Sequence, residues 1–123
     1  MVDTLGLIWG LAVHPADVQD AEGAKQVLLH AHRSVKRLRV VWVDAAYRAA
    51  VDWAWVWLLW LLEVVVRPRV PRFVVQPKRW IVERTFGWLN RYRALSKDYE
   101  RTIASSAAVI YVAMIHVMIR RLA

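Results

Sequence analysis

The stretch "LRVVWVDAAY" (38–47) constrains the fold of this chain more than any other. Its unbroken β-branched run through Val40, Val41, Trp42 and Val43 has no polar alternation, as in a strand buried on both faces. Such a strand needs cover on each side, so helices must follow or precede it. Behind it, "AAYRAAVDWAWVWLLWLL" is long enough for a helix, and "EVVVR" reads as another short strand. Ahead of it, "VDTLGLIWGLAVHP" places two short apolar runs around a Leu5-Gly6 turn and reads as a β-hairpin that Pro15 ends. A helix follows, with Asp17 as its expected N-cap and Val18, Val27, Leu28 and Ala31 near one face.

The three prolines and four basic residues of "RPRVPRFVVQPK" (67–78) mark a connecting loop or edge segment. Helix resumes at Trp80, with Ile81, Trp88, Tyr92 and Leu95 on one stripe and Val82, Phe86 and Leu89 beside it. Ser105 or Ser106 is the expected cap of a final apolar helix, which stops at Arg120-Arg121, where cations suit the C-terminal dipole. Strands alternating with helices predict an α/β fold, a mixed or parallel sheet covered by helices.

One chain of 123 residues fits a single domain, and 59% hydrophobic residues suffice for a core. The net charge of +8 points to nucleic acid or an anionic surface as partner. Fourteen of the eighteen cations are Arg, the residue suited to bidentate phosphate contacts. The absence of cysteine excludes a disulfide framework and a thiolate metal site. "MVDTLGLIWG" has no basic n-region and no small-residue cleavage site, so it does not read as a secretory signal. Two apolar runs, Trp53 to Val66 and Ala107 to Ile119, fall short of the roughly 20 residues a membrane span needs, and Glu63 and His116 interrupt them. They are expected to be buried elements, with no membrane partner.

Two acids stand out. Asp44 follows a strand, where open α/β sheets bind ligands, and it is equally placed to cap the next helix. Glu83 is expected in the first turn of its helix, wedged between Val82 and Phe86 at the edge of the apolar stripe. Pairing with Arg79 four residues back is its ordinary explanation. Gly87, one turn on, leaves a gap where a backbone or a phosphate could approach. Arg79, Arg84 and Arg91 would ring that gap, and the basic series Lys78, Arg79, Arg84, Arg91, Arg93 and Lys97 spreads round the helix and beyond its end, suited to phosphates or, more plainly, to ion pairs with Asp98 and Glu100. A carboxylate inside a basic surface is what metal-dependent phosphoryl transfer on DNA requires. Trp80, Trp88 and Tyr92 are expected in the core, as is His116, there or at an interface. His14, His30, His32 and His116 show no metal-ligand spacing.

"RWIVERTFGWLNRYRALSKDYE" followed by "IYVAMIHVMIRRLA" closely resembles the C-terminal end of bacterial insertion-sequence transposases of the DDE type. "VDTLGL", "VHPADVQDAEGA" and "VWVDAAY" resemble earlier blocks of the same domain in the same order, so the likeness runs over nearly the whole chain. The resemblance implies a ribonuclease-H-like fold. In it, two Asp and one Glu bind two divalent metals, magnesium (or manganese), that activate water and then a 3′-hydroxyl for in-line attack on DNA phosphates. By position, Asp44 matches the second Asp and Glu83 the Glu, as catalytic and metal-binding residues, with the six cations above on DNA.

The departures shape the expectation. The resemblance puts the first Asp on a strand ahead of the "VDTLGL" block, so residues 1–123 read as the C-terminal part of the catalytic domain. That part is an incomplete ribonuclease-H-like fold with an incomplete two-metal site, lacking the first strand. Asp3 lies on what looks like the second strand. Gln76 stands where the family signature has Tyr, and Asn90 where it has Lys. The run from Trp53 to Leu62 lacks the charges such a helix should carry, and exposed Trp and Leu there would favour aggregation, as would an open sheet edge. The implied partners are transposon-end and target DNA and an upstream transposase piece or intact transposase. The implied place is the cytoplasm, at the nucleoid. The function expected is DNA strand cleavage and transfer, inactive in this chain alone; the alternative is a non-catalytic basic DNA-binding remnant that modulates an intact transposase.

Overall fold

The computed structural model describes residues 1–66, 78–97 and 99–122. They fall into two compact units: Met1–Val13 with Pro77–Ala123, and His14–Gln76.

The His14–Gln76 unit holds the strand–helix–strand core. Helix α1 (Asp20–Ser34) has Asp20 and Glu22 in its first turn and His32 and Arg33 in its last, both favourable to the helix dipole. Its N-cap is Gln19, without a side-chain hydrogen bond, so the cap expected at Asp17 is displaced by two residues. Strand β1 (Val40–Val43) pairs in parallel with β2 (Leu61–Val64), with Val40 opposite Leu61 and Val43 opposite Val64. A parallel pair requires a crossover. Here it is a 3-10 segment, Ala45–Ala50, running into α2 (Val51–Leu58). Eight residues make a marginal helix alone; burial of Ala54 and Leu58 and packing against β2 hold α2 in place. It stops at Leu59, which takes the left-handed conformation (φ 54°). Ala21, Leu28, Ala31, Ala50, Trp60 and Leu62 are also buried, and the His32 ring lies 5.1 Å from that of Trp60.

The sheet thus has two strands among the described residues, and β1 is not covered on both faces as its sequence predicts. Trp42 is exposed, and its indole Nε1 donates to Glu63 Oε2 across the pair at 2.7 Å. The Trp-rich run is not the wholly buried element expected of it: Trp55, Val56, Trp57 (69%) and Leu59 face solvent. An eight-residue helix resting on a two-stranded sheet has one covered side, and these residues lie off it.

The other unit joins the N-terminal segment to the C-terminal helices. Met1–Gly10 folds back on itself through a single antiparallel bridge, Val2 to Ile8, so the expected hairpin exists in minimal form. Asp3 staples it: its carboxylate accepts from Leu5 N (2.8 Å), Leu7 N (2.9 Å) and Trp9 Nε1 (3.2 Å). Asp3 therefore does structural work. Asp3→Ala should destabilise this unit by about 1–2 kcal/mol in urea titrations, with Asn retaining part of the effect. An unchanged midpoint would remove the staple.

Helix α3 (Arg79–Leu89) and helix α4 (Ile103–Leu122) pack together, with a 3-10 turn, Arg93–Leu95, between them in sequence. Leu89, Ala113 and Met114 form the buried centre, against which Leu7, Ile8, Tyr92, Leu95 and Ile110 pack. The α4 cap is not Ser105 or Ser106: the Thr102 hydroxyl accepts from Ser105 N at 3.1 Å, so the helix starts earlier. At 20 residues and mean hydropathy 1.7, α4 is long and apolar enough to cross a membrane, longer than its central run suggests. Only Ala113 and Met114 of α4 are buried, and Tyr111, Val112, Ile115 and Ile119 are exposed, so the run Ala107 to Ile119 is not the buried element expected of it: α4 packs on one side only. The Pro-rich connection expected over 67–78 lies outside the described residues except for Lys78, as do Gln76 and Asp98.

Candidate functional site

Asp44 sits directly after β1, at its carboxyl end. Its backbone is extended, and its carboxylate Oδ1 accepts from Ala46 N at 2.9 Å, capping the 3-10 segment. The group is exposed and keeps lone pairs to spare. Close by, the Tyr47 phenol is held above its ordinary range, first by burial and then by the negative charges of Asp20 and Asp44. Asp20 thus joins Asp44 in setting the field here, a relation that a gap of more than 20 residues hides in the sequence.

Glu83 belongs to the other unit. It lies in the second turn of α3, whose first turn carries no acid, so the helix dipole is not its partner. It is exposed, and Val82 and Phe86 are exposed beside it, which overturns the expectation of a carboxylate wedged into an apolar stripe. The buried face of α3 is instead Thr85 and Leu89. Arg79 Nε donates to Glu83 Oε1 at 3.1 Å, the ion pair four residues apart that the spacing predicts.

The cations divide. Lys78, Arg91, Arg93 and Lys97 are exposed and Arg79 is half-buried. Arg84 turns inward: its guanidinium lies 4.4 Å from the centre of the Trp80 ring and 4.9 Å from that of Trp88, with Nε buried and without a hydrogen-bond partner. Arg121 covers Trp88 as well, at 4.3 Å, and donates to Leu5 O at 3.2 Å. Trp88 is therefore held between two guanidinium groups, an arrangement that draws on its ring quadrupole. The sequence places Trp88 inside and Arg84 on DNA; the fold makes them one stack, to which Arg121 comes from 33 positions further along.

Thr85 carries no obvious mark in the sequence. It is buried (3% exposed), and its Oγ1 lies 2.8 Å from Gly6 O and 3.0 Å from Ile81 O, either of which can take its proton. A hydroxyl one turn after Ile81 in an otherwise apolar face was the available signal. His116 is exposed, not in the core; its Nδ1 lies 3.1 Å from the Tyr92 hydroxyl.

Beyond Glu83 on α3, a groove of about 450 Å³ opens, lined by Phe86, Gly87, Leu89, Asn90, Leu95 and Ile110. A Cβ at Gly87 would meet nothing within 4 Å, so the gap expected there is present. No cluster of three or more acidic or histidine side chains suited to a metal occurs among the described residues.

Comparison with known proteins gives two family matches, both to a transposase DDE domain, over residues 41–120 and residues 1–56. No curated protein and no solved structure matches the chain. The first match spans more than half of the sequence and includes both Asp44 and Glu83, and on that ground the chain belongs to the transposase DDE domain family.

Proposed function

We propose that residues 1–123 are the C-terminal part of a DDE catalytic domain of ribonuclease-H-like fold, acting on transposon-end and target DNA. Family membership gives a role in transposition. The parallel strand–helix–strand unit, with Asp44 at the carboxyl end of β1, supports the fold assignment. The observation that carries the function is Glu83, an exposed acid on a helix that also bears Arg79, with Arg91 and Arg93 following.

The donors suit a divalent metal. Magnesium and manganese take hard carboxylate oxygens, often only one or two from protein, with water and substrate phosphates completing the shell. Asp44 and Glu83 are such donors, each exposed and each with lone pairs beyond its present hydrogen bond. A metal held at either carboxylate would supply Lewis-acid polarisation of the phosphate and activate the attacking oxygen. The protein's own part is to present each carboxylate to solvent on its own unit, to switch Arg79 from Glu83 to a phosphate as DNA arrives, and to fix the strand through Lys78, Arg91, Arg93 and Lys97. An upstream transposase piece or an intact transposase would complete the assembly, in the cytoplasm at the nucleoid.

A second reading has an observation in its favour: both acids already have structural partners, Ala46 N for Asp44 and Arg79 for Glu83. On that reading the chain is a non-catalytic DNA-binding module that modulates an intact transposase. Metal-dependent nicking by a complex containing this chain separates the two.

DNA affinity should fall linearly with salt on logarithmic axes. Arg91→Ala and Arg93→Ala should each lower the slope by about one, the change that follows when a single phosphate is no longer neutralised. A flat salt response would overturn the role of the cations in either reading.

A further inference from the structure

One side of α4 is committed to the core: Ala113 and Met114 form a buried cluster with Leu89 of α3, against which Ile110 and Val117 pack. The opposite side is apolar as well. Ala104, Ala108, Tyr111, Ile115 and Leu122 are exposed and recur at steps of four, three, four and seven, the spacing of a coiled-coil seam. Val112, 66% exposed, and Ile119 lie alongside them. Of the apolar 18-residue window of this helix, 11% is buried, so packing among the described residues does not account for its hydropathy. No Lys, Arg, Asp or Glu occurs between Ile103 and Ile119. A continuous apolar face of this length marks a partner surface.

We propose that this face pairs with the same face of a second copy of the chain, α4 against α4, antiparallel about a two-fold axis. The seam itself selects that partner and that direction. Its N-terminal half is small, Ala104 and Ala108, and its C-terminal half is large, Ile115, Ile119 and Leu122. Antiparallel pairing centred midway between Tyr111 and Ile115 sets Ala104 against Leu122 and Tyr111 against Ile115, twice each. Large side chains then fill the space that small ones leave. Parallel pairing would set bulk on bulk at one end and leave a void at the other. Charge agrees with the antiparallel choice. Arg120 and Arg121, in the last turn of α4, would lie at opposite ends of the pair, roughly 20 Å from their counterparts, instead of side by side. The area suffices: Tyr111, Val112, Ile115, Ile119 and Leu122, at roughly 100 Å² of apolar surface each, give a pair about 1,000 Å² of buried surface, where specific interfaces begin. A lipid surface fits less well. An interfacial helix needs a charged face behind its apolar one, and α4 has the Leu89 cluster there. The inference goes beyond the DNA role and does not depend on it.

The test is analytical ultracentrifugation of the full chain across the micromolar range, at low and high salt. A concentration-dependent dimer is expected, tightening with salt as like charges are screened, the reverse of the trend expected for DNA. Ile115→Glu places a good helix former at an exposed position, so the fold should be retained. It should weaken the dimer at least about tenfold. Trp57→Glu, on the exposed side of α2, should leave the dimer unchanged. Because the chain has no cysteine, single introduced thiols report the pairing directly. Ala104→Cys and Leu122→Cys should cross-link when the two variants are mixed and oxidised, and neither should cross-link alone. Cross-linking of each variant with itself, and not in the mixture, would mean a parallel pair and overturn the inference. A chain that stays monomeric throughout would overturn it too, as would a dimer that Trp57→Glu dissolves and Ile115→Glu spares. If a monomer instead co-sediments with anionic phospholipid vesicles and Ile115→Glu abolishes that binding, a lipid surface is the occupant and the second copy is excluded.

Discussion

Glu83→Ala is expected to reduce strand transfer to background in any complex that contains this chain, while leaving the fold almost untouched. The two effects separate because of where the carboxylate sits. It is exposed, and among the described residues its ion pair is with Arg79, four residues back on the same helix. Such pairs contribute about 0.3–0.5 kcal/mol. Ala is also a slightly better helix former than Glu, which offsets part of that loss. Thermal unfolding should therefore move little. DNA affinity should hold or rise slightly, since a negative charge leaves a basic surface and Arg79 is freed for phosphate. A variant that binds DNA as well as the native chain, stays folded and yet fails in transfer would place Glu83 in the chemistry. Near-normal transfer would sink that assignment and leave the non-catalytic module as the reading. Lost DNA binding would instead show that the carboxylate organises the surface.

Much of this was legible in the sequence, for identifiable reasons. The order of hairpin, helix, strand, helix, strand and two helices follows from local signals: β-branched runs, Pro15, and apolar spacing. Asp44 was legible twice over, as the residue after a strand and as a cap, because both roles depend on its immediate neighbours. Glu83 with Arg79 was legible for the same reason. What failed was the facing of α3. Its sequence offers two overlapping apolar stripes, and periodicity cannot choose between them. The choice is made by the Met1–Gly10 turn, which docks on Thr85 and Trp88 from 79 or more positions away. Once that side is buried, Val82 and Phe86 must face out. The burial of β1 failed differently. A continuous apolar run states what a strand can tolerate on its faces, but the number of neighbouring strands decides what it receives. The Trp88 stack required knowing that the last turn of α4 reaches Leu5, a juxtaposition no local pattern encodes.

The docking turn also predicts the largest loss of stability. Gly6 has φ of +84°, the left-handed region in which a Cβ costs about 1–2 kcal/mol. Space is short as well: an added Cβ would lie 2.8 Å from Thr85 Oγ1 and 3.0 Å from the Trp88 ring. Neither neighbour can yield cheaply. Thr85 is buried beside the Gly6 carbonyl, and Trp88 is held between Arg84 and Arg121. Gly6→Ala should therefore lift the turn off α3 and destabilise this unit by about 2–4 kcal/mol, large against a usual total of about 5–15. Urea titration followed by tryptophan emission measures it, and the native-state emission should itself shift as Trp88 loses its stack. A double-mutant cycle identifies the cause. Thr85→Ala removes the nearest atom, so Gly6→Ala should cost about 1 kcal/mol less in that background, with the backbone strain still present. Additive losses would mean that the left-handed backbone alone matters. No loss at all in the single variant would mean that the turn does not dock on α3, and with it would go the reason that Phe86 and Glu83 face outward.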